Sequence, residues 1–171
     1  MSQETEEYTR FPDRQIWQEA LDAAPKSGWI KTRNLGGSRT SKYMPLTVQQ
    51  ALADIFFLEF DVIEIKWKIV ANEIVTTVKV SILPSYPNSN YRIICGIGSK
   101  PVQMRSGALA SKFPRSKIIN ALEYCAPASK SSALSNALQQ FANVFGKNLG
   151  RKVSDGFNLK NKKKKNKNKK K

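Results

Sequence analysis

The sequence contains no histidine and only two cysteines, Cys95 and Cys125, among its 171 residues. Without histidine, the chain cannot form zinc sites of the mixed Cys/His type or the catalytic pairs in which histidine activates a serine or a cysteine. Two cysteines in a chain of cytosolic character are typical of small buried hydrophobic residues rather than of a disulfide. Apolar runs of membrane-spanning length are also missing, and the first thirty residues are polar and acidic. We therefore expect a soluble cytoplasmic protein with no membrane partner.

Acidic residues are scarce in the second half of the chain. Residues 1–73 have a net charge of −2, whereas residues 74–159 have a net charge of +9 with Glu123 and Asp155 as their only acids. Residues 160–171 add nine lysines, which brings the total to +16. Because the excess remains when the lysine-rich end is left out, it favours a polyanionic partner, most simply nucleic acid. A basic protein that is merely soluble is the alternative that charge alone leaves open.

Composition predicts one folded domain with two disordered ends. Residues 1–9 are acidic and polar, and residues 155–171 consist largely of lysine and asparagine, which cannot form a core. Residues 10–154 are numerous enough to bury one. The chain has no G-x-x-x-x-G-K-[ST] spacing, so we expect no nucleotide-binding loop and no cofactor.

The clearest helical periodicity lies towards the C-terminal end of the domain. Large apolar residues recur there at spacings of three and four: Leu134, Leu138, Phe141, Phe145 and Leu149. This pattern predicts a helix over residues 133–150 with one broad apolar face. Ala142 and Gly146 lie beside that face, where another backbone could approach closely. Shorter helices are predicted over residues 13–24, 45–57 and 115–124.

Three alternating stretches predict an antiparallel sheet with one apolar and one polar face. They cover residues 62–70, 74–83 and 91–97, and the short turn between the first two allows only a hairpin. The predicted apolar face consists of Ile63, Ile65, Trp67, Ile69, Ile74, Val78, Val80, Ile82, Tyr91, Ile93, Cys95 and Ile97. The predicted outer face carries Lys66, Lys68, Lys79 and Arg92.

The long helix is the natural cover for the apolar face of this sheet. The predicted fold class is therefore α+β: a three-stranded antiparallel sheet covered by a long C-terminal helix, a β-β-β-α core with additional short helices. The basic outer face would be either an ordinary solvated surface or part of a polyanion-binding site.

Residues 29–43 form a basic stretch with a Gly36-Gly37 pair and an aromatic residue at each end. Glycine lets a phosphate chain approach the backbone, cationic side chains neutralise it, and aromatic rings stack on bases. We expect a nucleic-acid-binding loop here, although an exposed loop without a ligand has the same composition. Its candidate contacts are Lys31, Arg33, Arg39, Lys42 and Tyr43.

One enzymatic pattern competes with the binding interpretation. Asp54, Glu64 and Lys66 follow the D…E-x-K order in which two carboxylates hold magnesium beside a phosphate in many nucleases. Asp54, however, falls late in a predicted helix, and Glu64 is explained as an outward strand position beside lysines. We therefore favour a binding protein over a metal-dependent nuclease and expect no enzymatic activity.

The order of helix, basic R-x-x-G-G loop, helix, antiparallel strands and a long A-L-x-x-A-L-x-x-F-x-N-x-x-G helix resembles the Rad-fifty-two superfamily of single-strand annealing proteins. That superfamily includes phage-encoded Sak-type members. The likeness runs from residue 16 to residue 150 and depends mainly on residues 29–37, on Tyr43 with residues 48–56, and on residues 133–150.

The resemblance implies a homo-oligomeric ring or arc with single-stranded DNA in a basic groove. It further implies ATP-independent strand annealing in homologous recombination and DNA repair, and a bacterial cytoplasm if the protein is phage-encoded. Duplex DNA held by the lysine-rich tail and a host single-strand-binding protein are further candidate partners. A general basic nucleic-acid-binding or packaging protein, in which the sheet is only a scaffold, is the alternative.

By motif position, Arg33 and Tyr43 match residues that line the groove of the family. Members often carry basic residues on the long helix where this chain has Ser135, Asn136 and Gln139, so phosphate neutralisation would fall to other cations. The full predicted DNA-binding set is Lys31, Arg33, Arg39, Lys42, Tyr43, Lys66, Lys68, Lys79, Arg92, Lys100, Arg105, Lys130, Ser135, Asn136, Gln139, Lys147, Arg151 and Lys152.

Overall fold

The computed structural model describes residues 10–107 and 115–149. In chain order, its main elements are α1 (Arg14–Asp22), β1 (Lys31–Asn34), β2 (Thr40–Tyr43), α2 (Leu46–Phe56), β3 (Phe57–Val70), β4 (Glu73–Pro84), β5 (Arg92–Pro101) and α3 (Ala121–Phe141). Short 3₁₀ turns follow α1 and α3, at Ser27–Trp29 and Asn143–Phe145. The predicted disordered segments, residues 1–9 and 155–171, lie outside the described residues.

Strands β3, β4 and β5 form one antiparallel sheet in that order, and α3 packs across β5 and β4. This arrangement confirms the predicted α+β class, with a three-stranded antiparallel sheet against a C-terminal helix and additional shorter helices. Strand β3 begins five residues earlier than predicted. The reason is that Phe57, at the end of α2, already has an extended backbone, so the chain passes from helix to strand without a loop.

Strand β4 places a strictly alternating set of side chains beneath α3. The buried positions are Ile74, Thr76, Val78, Val80, Ile82 and Pro84. Every second residue of a strand points to the same face, so this pattern marks the side of the sheet that faces the core. The prediction for the apolar face of β4 is confirmed.

The predicted face of β5 is wrong. In the register, Gly96 lies opposite Val78 and Gly98 lies opposite Thr76, so the two glycines share the buried face, whereas Ile93 and Ile97 point outward. A Cβ atom on Gly96 would overlap the carbonyl oxygen of Ala133 and would lie 2.6 Å from the backbone nitrogen of Ala137. Helix α3 thus sits directly on the backbone of β5, which only glycine permits. The outward-facing residues of β5 are Ile93, Cys95 and Ile97, and the predicted burial of Cys95 is therefore wrong as well.

Helix α3 replaces the two separate helices predicted over residues 115–124 and 133–150. It runs continuously through Pro127 and is anchored by Ser129, which is fully buried. The Ser129 hydroxyl lies 2.7 Å from the Thr76 hydroxyl and 3.1 Å from the carbonyl oxygen of Gly98. The Ser129 side chain thus joins the middle of the helix to two strands, which satisfies its polar atom inside the core.

The chain leaves the helical path at Ala142, whose backbone is extended (φ −152°, ψ 161°). The prediction of helix up to residue 150 is therefore wrong, although Leu138 and Phe145 are fully buried as their pattern required. Asn143 explains the break, because its side-chain amide donates to the carbonyl oxygens of Asp22 (3.2 Å) and Ala23 (3.3 Å) at the end of α1. These bonds satisfy carbonyls that a helix end leaves without partners.

The core includes a tryptophan of α1 and a small residue that follows α3. Trp17 of α1 is fully buried, and its indole nitrogen donates to the carbonyl oxygen of Phe56 (2.8 Å). Ala142, expected to admit another backbone, is buried within its own chain. The apolar face of α1 and the small residues after α3 are thus used inside the domain.

Candidate nucleic-acid interface

A groove of about 850 Å³ lies between the β1–β2 hairpin, the start of α2, the end of β5, α3 and the segment that follows α3. Three separate stretches of the sequence, residues 33–46, 98–100 and 128–149, therefore form one open site. Eight residues of the predicted DNA-binding set line it: Arg33, Lys42, Tyr43, Lys100, Ser135, Asn136, Gln139 and Lys147.

On the hairpin side of the groove, the prediction of a loop over residues 29–43 is corrected, because much of this stretch forms strands β1 and β2. Strands β1 and β2 pair in register, with Arg33 opposite Ser41. Gly36 and Gly37 form the turn with φ angles of +94° and +60°, a conformation that few other residues adopt without strain. A paired hairpin supports ligand-binding side chains more rigidly than a loop, because hydrogen bonds between the two strands hold the backbone that carries them.

Arg33 and Tyr43 form a preorganised pair on this hairpin. The guanidinium carbon of Arg33 lies 5.6 Å from the centre of the Tyr43 ring, within the range of a cation–π interaction. The contact restrains a long cationic side chain at the edge of the groove while its N–H groups stay available for phosphate. Lys31 lies opposite Tyr43 in the register but does not line the groove.

The α3 side of the groove is polar but uncharged. It presents Ser131, Ser132, Ser135, Asn136 and Gln139. The Asn136 side-chain nitrogen donates to the carbonyl oxygen of Ile97 at 2.7 Å, and Gln139 is bonded to Ser135 at 3.2 Å. The two amide side chains are therefore already engaged with the protein. Ser131 and Ser132 were not among the predicted contacts, so their place in the groove was missed.

Lys147 owes its place in the groove to the segment after α3. Gly146 has a φ of +94°, and its N–H donates to the carbonyl oxygen of Asn143 at 2.8 Å. Gln49 of α2, fully buried, donates its side-chain N–H to the carbonyl oxygen of Phe145 at 3.0 Å. Sequence reasoning missed Gln49, whose only signal was a polar residue within the apolar pattern of α2.

The groove is electropositive. Its lining residues include four cations and no acid; the cations are Arg33, Lys42, Lys100 and Lys147. None of these four has an ion-pair partner within residues 10–107 and 115–149. Their charge is therefore available to an anionic ligand, and each is able to neutralise one phosphate.

The predicted cations of the sheet do not extend this site. Arg92 points to the buried face, opposite Ile82, where it donates to the Tyr86 hydroxyl (3.1 Å) and lies 5.6 Å from the Trp17 ring centre. Its assignment to the outer face is therefore wrong. The predicted residues that do not line the groove are Lys31, Arg39, Lys66, Lys68, Lys79, Arg92, Arg105 and Lys130. Arg151 and Lys152 lie outside the described residues.

Glu64 binds two of the outer-face lysines. Its carboxylate lies 3.2 Å from the ammonium group of Lys66 and 3.2 Å from that of Lys79. Hydrogen bonds from Lys66 and then Lys79 hold the pKa of the Glu64 carboxyl below its ordinary value of 4.5. Two of the positive charges on this face are thus partly neutralised by the protein itself.

The positions of Asp54 and Glu64 can be compared with the D…E-x-K arrangement of metal-dependent nucleases. Asp54 belongs to α2, whereas Glu64 lies in the middle of β3 with both carboxylate oxygens directed at lysines. In the described part of the chain, no group of three or more cysteine, aspartate or glutamate side chains is placed to hold a metal ion. Glu64 and Lys66 of the D…E-x-K order thus belong to an ion-paired strand surface, and Asp54 lies on a different element.

Comparison of the sequence with protein-family models gives no match, and comparison with curated proteins gives none either. Among the helices in residues 10–107 and 115–149, none combines the length and the apolar character needed to cross a membrane.

Proposed function

We propose that the protein binds single-stranded DNA in the groove between the β1–β2 hairpin and α3 and anneals complementary strands without ATP. The observation that carries this proposal is the convergence of Arg33, Lys42, Lys100 and Lys147, all without acidic neighbours, in one open groove. An open, positively charged groove with aromatic and polar side chains suits an extended phosphate chain rather than a small enclosed ligand.

The four cations set an expected salt dependence. Each phosphate that a lysine or arginine neutralises on a single strand contributes about −0.7 to the slope of log affinity against log salt concentration. A protomer that uses all four cations should therefore give a slope of about −3 per bound protomer.

Annealing requires no energy source beyond the strands themselves. Duplex formation is downhill by about 1.4 kcal/mol per base-pair step, provided that the phosphate charges of both strands are screened. A protein that holds one strand by its backbone lowers the repulsion felt by the second strand. The absence of a G-x-x-x-x-G-K-[ST] sequence agrees with a mechanism that does not use ATP.

We further propose that the annealing form is a homo-oligomeric ring or arc, as in the superfamily that the sequence resembles. Support comes from β3, because α3 packs mainly against β5 and β4 and leaves much of β3 uncovered. On the helix-side face of β3, Ile65, Trp67 and Ile69 lie opposite buried residues of β4, yet they are exposed, Trp67 by 64%. An edge strand with a row of large apolar side chains favours contact with another chain.

A strand-annealing assay tests the proposal. The full chain should accelerate duplex formation between complementary oligonucleotides, and Arg33→Ala should weaken single-strand binding several-fold without unfolding the protein. Lys68→Ala on the outer sheet face is the matched control and should leave binding unchanged. Single-strand binding without acceleration of pairing would instead support a general nucleic-acid-binding protein. Unchanged affinity in Arg33→Ala would remove the hairpin from the site.

A further inference from the structure

The first nine residues of the chain carry the charge that is complementary to the groove. They contain Glu4, Glu6 and Glu7 and no basic side chain, so their side chains have a net charge of −3. The other two stretches outside the described residues are basic. Residues 108–114 contain Lys112 and no acid, and the lysine-rich residues 150–171 contain Asp155 as their only acid. Among these three stretches, residues 1–9 are therefore the one that the groove cations attract.

The first nine residues are attached to the domain at a fixed point. The backbone N–H of Phe11 donates to the carbonyl oxygen of Ser85 at 3.0 Å, and the Phe11 ring stacks on that of Phe56 at a centroid distance of 5.4 Å. The ring of Phe56 in turn lies 6.0 Å from that of Phe145. Lys147, which lines the groove, follows two residues after Phe145.

The length of the segment matches this distance. An extended chain covers about 3.3–3.6 Å per residue, so Glu4, seven residues before Phe11, can lie roughly 24 Å from it. The two ring contacts and two residues that connect Phe11 to Lys147 span no more than a similar length. The carboxylates of residues 1–9 can therefore reach the cations at this end of the groove.

The lysines of residues 160–171 are the competing target for these carboxylates. An exposed ion pair contributes little when both side chains must lose conformational freedom to form it. The groove cations lie on folded elements instead, and Arg33 is restrained by its contact with the Tyr43 ring at 5.6 Å. They also have no ion-pair partner within residues 10–107 and 115–149. Restrained, unpaired cations favour the groove as the target.

We propose that residues 1–9 occupy the basic groove of their own chain in the absence of nucleic acid, with Glu4, Glu6 and Glu7 beside its cations. This inference rests on the proposed function, because the segment takes the place of the phosphates that the groove would bind. A DNA strand must displace the segment in order to bind. A polyanion that neutralises several cations at once therefore competes better than a mononucleotide, because its contacts reinforce one another.

Replacement of the three glutamates in the full chain tests this competition. An exposed ion pair changes an equilibrium by roughly 1.4-fold to fivefold. The combined variant Glu4→Gln, Glu6→Gln and Glu7→Gln should therefore bind single-stranded DNA about threefold more tightly, or better, at low salt. Salt screens the contact, so the gain should fade at high salt and the salt slope should be more negative than that of the wild type.

A matched control removes three negative charges from α1 and α2. It combines Glu19→Gln, Asp22→Asn and Asp54→Asn, which are exposed positions that do not line the groove. The affinity of this variant for single-stranded DNA should change much less, because its lost carboxylates do not occupy the groove. Equal gains in the two combined variants would overturn the inference, since loss of negative charge at any position would then be sufficient.

Carbodiimide cross-linking of the wild type gives a readout that does not depend on DNA affinity. The reagent joins a carboxylate to a contacting lysine amine as an amide, and mass spectrometry identifies the pair. Without DNA, the glutamates of residues 1–9 should be linked to Lys42, Lys100 or Lys147, and an excess of single-stranded oligonucleotide should suppress these links. A mixture of isotopically labelled and unlabelled chains shows whether each link lies within one chain.

The outcomes separate this inference from the proposed function. Links to residues 160–171 or to the sheet lysines in place of the groove, or links between labelled and unlabelled chains, would overturn the inference. Unchanged affinity in the variant that lacks the three glutamates would overturn it as well. In each of these cases, single-strand binding by the wild type would leave the proposed function intact. Failure of both the wild type and this variant to bind single-stranded DNA would refute the proposed function itself.

Discussion

The groove and the outer face of the sheet carry similar numbers of basic residues, but the structure treats them differently. In the groove, Arg33, Lys42, Lys100 and Lys147 converge without acidic neighbours. On the outer face, Glu64 binds two lysines, and the neighbouring positions of β5 are apolar and exposed. Basic residues are thus without ion-pair partners in the groove, whereas those on the outer face share an ion-paired, partly apolar surface.

This difference shows that a basic segment does not by itself locate a binding site. A lysine that is paired with a carboxylate releases fewer counterions when a phosphate approaches, because its charge is already balanced. The groove instead gathers cations that the sequence keeps more than a hundred residues apart, from Arg33 to Lys147. The comparison between the two faces can be tested at four levels.

The largest effect is expected on stability, from substitutions on the two faces of β5, because one face is buried under α3 and the other is exposed. Gly96→Val should lower the free energy of unfolding by ~3 kcal/mol, the upper part of the range for overpacking, because its side chain would meet the backbone of α3. Cys95→Val, on the adjacent outward position, should change it by less than ~0.5 kcal/mol. Chemical denaturation measures both. Similar stabilities for the two variants would contradict the close approach of α3 to β5.

The second largest effect is expected on the oligomeric state, from a substitution in the part of β3 that α3 does not cover. If the proposed oligomer forms through β3, Trp67→Lys should yield a folded monomer, with a loss of ~2 kcal/mol or more per interface, as for a tryptophan at the centre of a contact. The residue is 64% exposed in the single chain, so its replacement should leave the monomer folded. Light scattering gives the mass, and Ile119→Lys, at another highly exposed position, is the matched control. A wild-type monomer, or an unchanged mass in Trp67→Lys, would contradict the proposed role of β3.

Much of the fold could be predicted because local patterns agree with the final packing. Strand β4 alternates without interruption, and its buried face was predicted correctly from Ile74 to Ile82. The short turn before β4 allowed only a hairpin, and the helix predicted over residues 45–57 is present as α2, Leu46–Phe56. In these elements, the chemistry of each residue and its tertiary environment lead to the same result.

The failures arise where the deciding contact is distant in sequence. The face of β5 is set by Gly96 and Gly98, because α3 needs their missing side chains, whereas alternation of Ile93 and Ile97 predicted the opposite. The end of α3 is set by the bonds of Asn143 to α1. In both cases the contacting element is too far away in sequence to be found from a local pattern of residues.

In the candidate site, too, residues that are close in sequence were predicted together, whereas the contacts that place distant residues were not predicted. Arg33, Lys42 and Tyr43 lie close together in sequence and were identified together. Lys147 was identified as a cation, but its position depends on Gln49, which gave no clear signal. The wrong assignment of Arg92 followed from the wrong face of β5, since its true position is over Trp17 in the core.

A smaller effect distinguishes the two sets of lysines by salt dependence. Lys147→Gln and Lys68→Gln remove the same charge from the two faces. The groove variant should make the salt slope of single-strand binding less negative by about 0.7, with a several-fold loss of affinity at low salt. The sheet variant should leave the slope unchanged. Equal changes in the two slopes would mean that the strand contacts both faces, and the groove would not be a distinct site.

The smallest effect is a pH dependence on the outer face. Because the pKa of Glu64 is lowered in the folded protein, its bonds to Lys66 and Lys79 contribute stability that is fully present above its ordinary pKa of 4.5. That contribution is lost as the pH falls through the lowered pKa of the folded state. Glu64→Gln should therefore be slightly less stable than the wild type at neutral pH and equal to it in strong acid. The difference should be small and reduced by salt, because the pair is exposed.

Glu64→Gln also provides the strictest test of the comparison, since it frees Lys66 and Lys79 without adding a cation. If only the groove binds the strand, the affinity for single-stranded DNA and its salt slope should match those of the wild type. Tighter binding with a more negative slope would show that the released lysines meet phosphates. In that case ion pairing by Glu64, rather than distance from the groove, would be what keeps the outer face out of the site, and the two surfaces would form one continuous track.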